Sequence, residues 1–174
     1  MHPPDYPSLH PRFGWMRDYL ALIAPPGGLP GRLGLDPSLF KPLLPFVNLV
    51  DVIRLAGQLD FRFRLVGTLQ TDLAGREITG KRIEEAVLPE FVARIRANMT
   101  AAVEQGTAIY DRFPMPHPGR NCIDTERVYF PLASNGRDID MLLILNGYPD
   151  DETIESRALP SLPSRPAASP PPGR

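Results

Sequence analysis

The sequence predicts an α+β domain built on antiparallel strands. Three observations carry this prediction. Residues 48–54 and 60–67 form a hairpin signal around a short turn. Residues 89–105 show one long amphipathic helical pattern. Three more strand-like runs follow at 107–115, 123–132 and 139–147. The order is short helix, strand, strand, helical turns, longer helix, three strands, all within residues 29–147.

Each element has local support. Residues 12–24 form an amphipathic helix with Phe13, Met16, Leu20 and Ile23 on one side, ended by Pro25-Pro26-Gly27-Gly28. Such a helix behind a breaker can cover its own sheet or dock on a partner. Asp36-Pro37 is an N-cap followed by proline at the first helical position, with Leu39, Phe40, Leu43 and Leu44 as the buried side and Pro45 as the stop. Residues 46–54 are β-rich, and residues 55–59 are a turn of hairpin length. In residues 60–66, Phe61, Phe63 and Leu65 alternate with Arg62, Arg64 and Val66, the pattern of a half-buried antiparallel strand. Thr68 is placed to cap a short helix carrying Leu69 and Leu73, closed by Gly75. In the long helix Pro89 suits the first turn and Gly106 the C-terminal cap. Phe91, Val92, Ile95, Met99, Ala102 and Val103 form its apolar side. Residues 116–119 and 134–138 supply the turns between the last three strands.

Composition bounds the function. The chain has 174 residues, which suits one domain with tails: an N-terminal extension over 1–28, the domain over 29–149, and a Pro-rich tail over 150–174. The tail has no apolar period and is expected to be disordered, with Pro170-Pro171-Pro172 as a possible polyproline segment. A formal net charge of −1 without a basic stripe argues against nucleic acid and against a polybasic membrane anchor. No apolar run approaches the length needed to span a bilayer, and no signal peptide is visible. Cys122 is the only cysteine, so no intrachain disulfide can form, and a reducing cytoplasm is expected. Only Lys41 and Lys81 are lysines, an arginine bias that fits a bacterial source.

Several local words, taken in order, resemble one family. These are Leu29-Pro30-Gly31-Arg32, Leu44-Pro45 with Leu49-Val50-Asp51-Val52, Phe61 through Thr68, Gly75-Arg76 with Thr79-Gly80-Lys81, and Glu126-Arg127 with Pro131-Leu132. Together they are similar to a PAS-domain family common in alphaproteobacteria, whose members are often stand-alone PAS proteins. The resemblance covers about two thirds of the chain and lies in the ordered set, not in any single motif. It implies a five-stranded antiparallel sheet with helices on one face enclosing a small cavity. It further implies sensing, protein interaction or dimerisation, without naming a ligand.

The sequence offers no chemistry with a local signature. Gly119-Arg120-Asn121-Cys122 superficially resembles the flavin-reactive motif of blue-light LOV domains. In those domains the motif lies on a helix before the long helix; here it enters the fourth strand, and Ile-Asp-Thr follows in place of Arg-Phe-Leu-Gln. Flavin is therefore not expected. Haem and zinc are not expected either, since His2, His10 and His117 lie in loose or turn segments without ligand spacing. No nucleophile elbow, phosphate loop or Ser-His-Asp order is present, so no catalytic residue is assigned.

The candidate site is instead a cavity wall with polar anchors. Phe63, Leu65, Leu73, Phe91, Ile95, Val128, Tyr129, Met141 and Leu143 are the wall candidates, and the same residues could simply fill a core. Asp51, Arg64, Glu126 and Arg127 are the polar candidates. The hairpin should set Asp51 opposite Arg64 and Val52 opposite Phe63, either as a switchable contact to the N-terminal helix or as a pair that sets register. Alternation sends Glu126 to one face and Arg127 with Tyr129 to the other. The expected function is a regulatory PAS module, homodimeric or bound to a partner such as a histidine kinase, that responds to a ligand by population shift. A filled adaptor without a ligand, or a small enzyme with Asp51, Arg64, Glu126 and Tyr129 in one cleft, are the alternatives.

Overall fold

A computed structural model describes residues 11–117, 119–149 and 159–163. The expectations for residues 1–10, for Pro118 and for most of the C-terminal tail, Pro170 to Pro172 included, lie outside the described residues. Five strands, β1 (Val47–Leu55), β2 (Gln58–Val66), β3 (Ile109–His117), β4 (Arg120–Leu132) and β5 (Met141–Gly147), form one sheet in the order β2-β1-β5-β4-β3. Every neighbouring pair is antiparallel. β5 holds the centre and is buried along its whole length, which matches its nearly continuous apolar run.

Among the described residues four α-helices flank the sheet: α1 (Pro11–Ile23), α2 (Thr68–Ala74), α3 (Ile83–Ala86) and α4 (Pro89–Gln105). The chain leaves one edge of the sheet at β2, crosses one face through α2, α3 and α4, and re-enters at the opposite edge through β3. We call this face inner. Its apolar cluster joins Val50, Val52, Phe61, Phe63, Phe113, Tyr129 and Ile144 to Ile95, Met99 and Ala102 of α4. The outer face carries α1. Phe13, Trp15, Met16, Tyr19 and Leu20 pack there with Phe40, Leu43 and Phe46 of a 3-10 helix (Pro37–Phe46) and with Leu49, Val128, Phe130 and Leu143 of the sheet. The N-terminal helix thus covers its own domain.

The caps and turns follow their residues. Asp36 accepts the Ser38 N–H through its side chain at 2.9 Å, and α4 starts at Pro89 and ends at Gly106 with φ 64°. The β1–β2 turn is the two-residue Ala56-Gly57, with φ 48° and 81°, the positive pair that matches hairpin twist. The cap of α2 is Gly67 and not Thr68, whose side chain makes no capping bond. Gly67 is required by contact: a Cβ there would stand 2.3 Å from the Pro45 carbonyl oxygen.

Register differs from expectation at one point. Asp51 pairs with Arg62 and Val52 with Phe61, two residues away from the expected partners. Leu49 and Val50 are consecutive, yet they oppose Leu65 and Phe63, so Arg64 is an extra residue on β2. That bulge turns Leu65 out of the Phe61–Phe63 row, and its side chain is 43 % exposed beside the outer cluster. Part of the expected tail also differs. Residues 159–163 have no regular structure, but Leu159 packs against the outer cluster.

Candidate functional site

Between the inner face and the crossing helices lies a cavity of about 390 Å³. Its body is apolar: Phe63, Leu73, Ile78, Ile95, Met99 and Ile144 contribute. Exposed lining residues, Arg76 and Pro116, mark where it meets solvent. His117, expected in a turn, is the last residue of β3 and also lines it; its Nδ1 accepts the Gly119 N–H at 3.0 Å.

The polar groups come from alternation on two adjacent strands. β4 sends Thr125, Arg127 and Tyr129 inward, and β5 sends Asn146 inward. Thr125 is satisfied by donating its hydroxyl to the Phe113 carbonyl at 2.6 Å. Asn146 donates to the Phe46 carbonyl at 2.8 Å and accepts from Arg127 Nε at 3.1 Å. Arg127 is only 8 % exposed, and its guanidinium carbon lies 4.5 Å from the centre of the Phe113 ring. Its Nη1 is buried without a hydrogen-bond partner; the Tyr129 hydroxyl is also buried without a partner in good geometry, although Arg127 and Asn98 lie close enough to influence it. Burial pushes the Tyr129 hydroxyl up, with the Arg127 cation as the largest opposing influence.

The acid nearest in register to Arg127 is already engaged. Asp111 of β3 pairs with Arg127 across the strands, but its carboxylate receives Arg94 Nε at 2.8 Å, Arg94 Nη2 at 2.5 Å and Asn98 Nδ2 at 2.6 Å. Burial raises its carboxyl pKa, but the hydrogen bonds from Arg94 and Asn98 outweigh this and hold it below the usual range.

The wall candidates divide between the faces. Phe63, Leu73, Ile95 and Tyr129 line the cavity together with Arg127. Phe91 stands beside it, stacked on Phe113 at 5.4 Å between ring centres. Leu65, Val128, Met141 and Leu143 stand on the opposite face and do not reach the cavity. Val128 could not share a face with Tyr129, and Leu65 is displaced by the bulge. The polar candidates divide likewise. Asp51 accepts from Arg64 Nε at 2.5 Å and Arg62 Nη2 at 3.1 Å, away from the cavity, and no described contact joins it to α1. Glu126 is fully buried on the outer face, where it accepts the Tyr110 hydroxyl at 2.7 Å. Asp51, Arg64, Glu126 and Tyr129 therefore form no common cleft. Sequence reasoning missed Asn48, Gln70 and Asn146, all of which line the cavity. The available signal was an asparagine inside the otherwise apolar run of β5.

Among the described residues no group of three or more His, Cys, Asp or Glu could hold a metal ion, and no helix is long and apolar enough to cross a membrane. Cys122 is exposed on β4, while its neighbour Ile123 lines the cavity.

No curated protein matches the chain. Among solved structures it is similar to the PAS domain of a protein from Colwellia psychrerythraea, at 18 % identity over 62 % of this chain and 91 % of that one, TM-score 0.41. It is similar to the Rhodobacter sphaeroides LOV protein at 14 % identity over 82 % and 72 %, TM-score 0.46. A domain of an HTR-like protein from Haloarcula marismortui matches at 17 % identity over 58 % and 96 %, TM-score 0.40. The PAS domain family model matches residues 16–145, from within α1 to Leu145 within β5. With that match spanning most of the chain, and with the five-stranded antiparallel sheet and crossing helices described above, the chain belongs to the PAS domain family.

Proposed function

We propose that this PAS domain is a sensory module that binds a small molecule in its inner cavity and passes the occupancy to a signalling partner or a second copy. The observation that carries the reading is the cavity itself. A domain of this size needs its core for stability, yet it keeps about 390 Å³ beside two buried, unpartnered polar groups. That volume is within the range of small-molecule sites, about 300–1,000 Å³. The mechanism is a population shift carried by β4. Arg127 faces the cavity, while its neighbours Glu126 and Val128 face the outer side, where Val128 shares a cluster with Phe13 and Met16 of α1. A ligand that moves Arg127 alters the seat of α1 only if it prefers one arrangement of β4.

Native mass spectrometry of purified protein, compared with the denatured protein, tests this. A small-molecule mass lost on denaturation is the expected result. An empty protein whose melting temperature is unmoved by any small molecule offered would overturn it.

A second reading, an adaptor or dimerisation module, is favoured by the outer side. There a hollow of about 300 Å³ is lined by Leu33, Leu35, Phe40, Leu65 and Leu143, with Leu33 94 % exposed. A partner such as a histidine kinase, or a second copy, would cover it. Leu65→Asp should then abolish association measured by light scattering while leaving cavity occupancy unchanged.

A further inference from the structure

We infer that the cavity selects an anion: a small molecule with an apolar body and a single carboxylate, read by Arg127 and Tyr129. This rests on the ligand-sensing reading above and adds the chemical class.

Four observations converge. First, the lining has a sign. Arg127 and Arg76 contribute, and no aspartate or glutamate does. Second, Arg127 is held in place before any ligand arrives. Asn146 takes Nε, the Phe113 ring lies under the guanidinium, and Asn146 is itself fixed by the Phe46 carbonyl. Of its two terminal nitrogens, Nη1 is buried with no acceptor. A buried cation without a counter-charge is costly. Third, the protein does not supply the missing anion: Asp111 is committed to Arg94 and Asn98, and Glu126 points to the other face with Tyr110. Fourth, a second polar group stands beside the first: Tyr129 is two residues along the same strand, and its buried hydroxyl has no partner in good hydrogen-bond geometry, with Arg127 and Asn98 close enough to act on it. Two hydrogen-bond donors on residues that line one mostly apolar space match the two oxygens of a carboxylate. The size of the space and its apolar walls exclude a large or heavily charged ligand.

The test uses matched acids and amides on the full chain: phenylacetate against phenylacetamide, and octanoate against octanamide, by calorimetric titration. In the wild-type protein each acid should bind about 10- to 100-fold more tightly than its amide, the range of a charge-assisted hydrogen bond. Arg127→Met keeps the apolar stem and should erase that preference while leaving amide binding in place. Tyr129→Phe removes only the hydroxyl and should reduce the preference several-fold, about the effect of one hydrogen bond. It serves independently where the arginine variant fails to fold. Equal binding of acids and amides by the wild type, or a preference that survives both substitutions, overturns the anion assignment and leaves ligand sensing standing. If neither class binds and no mass is released on denaturation, both fall together. If neither class binds but a neutral molecule is released, only the anion assignment falls.

Discussion

The two faces of the sheet solve the same burial problem differently. The outer face is filled by aromatic rings from α1 and the 3-10 helix: Trp15 stacks on Tyr19 at 5.2 Å, Phe40 leans on both, and the Arg12 guanidinium carbon lies 3.7 Å from the centre of the Phe46 ring. The inner face is covered by helices that stand off it, leaving the larger space, about 390 Å³; unsatisfied buried polar atoms occur on both faces, Trp15 Nε1 and Glu126 Oε2 outside and Arg127 Nη1 and the Tyr129 hydroxyl inside. Both faces are drawn from alternate residues of the same strands. The contrast teaches that strand parity divides the sheet's residues between a tightly packed outer cluster and an inner cluster that borders the cavity, the side on which the proposed ligand would sit.

The largest effects should therefore fall on the outer face. Phe13 is essentially inaccessible, and its ring touches the backbone at Gly147, where a Cβ would come within 3.0 Å. Phe13→Ala should cost about 3–5 kcal/mol in chemical denaturation, in line with buried aromatic truncations. A cost under 1 kcal/mol would mean that α1 is not integral to the domain. Enlargement sharpens the comparison. Leu132→Phe on the outer side should cost about 1–3 kcal/mol from overpacking, whereas Ile95→Phe, pointing into the cavity, should change stability by less than about 1 kcal/mol and abolish ligand release in native mass spectra. Equal costs at the two positions would show that the cavity is closed in solution.

Much of this was legible from residues alone. The element order, the long helix with its proline start and glycine end, and the sharing of one face by Arg127 and Tyr129 follow from periodicity and cap chemistry, while which face turns inward does not. The division of faces was harder. Strict alternation in β2 concealed the bulge at Arg64, because an extra residue leaves no mark in a pattern of apolar and charged side chains. A stripe of Phe13, Met16, Leu20 and Ile23 identified α1 but omitted Trp15 and Tyr19, since a helix sunk among aromatic rings buries a wider arc than a surface helix does. The cavity lay beyond sequence reasoning. Wall and core are made from the same apolar residues, and only the distance between helix and sheet separates them.

A pH titration tests the inner-face electrostatics. Asp111 is held ionised by Arg94 and Asn98, so its folded pKa lies below its unfolded value of about 3.9. Its contribution is fully present above that value and is lost as the pH falls through the lower, folded pKa. Asp111→Asn should cost about 1–2 kcal/mol at neutral pH, a magnitude set by hydrogen bonds to a charged group. The gap between wild type and variant should narrow as the pH is lowered below 4. A gap that stays constant to pH 2 would show that the charge contributes nothing beyond the side chain's shape.

The smallest effect belongs to the pair that looked most like a switch. Asp51 is nearly buried between Arg62 and Arg64, but both arginines are about half exposed, so solvent screens their charge. Asp51→Asn should cost only about 0.5–1 kcal/mol. Its interest lies in the bulge. Arg64 is the inserted residue, and its Nε reaches Asp51 at 2.5 Å from a position diagonal to the true cross-strand partner, Arg62. The carboxylate therefore ties together the two residues that flank the change of face in β2. If Asp51 fixes the bulge, its loss should speed amide hydrogen exchange from Phe63 through Val66 while leaving β4 and β5 protected. If exchange is unchanged, the bulge is held by packing alone: Phe63 is gripped by the inner cluster, Leu65 rests beside the outer one, and one residue must be left over between them.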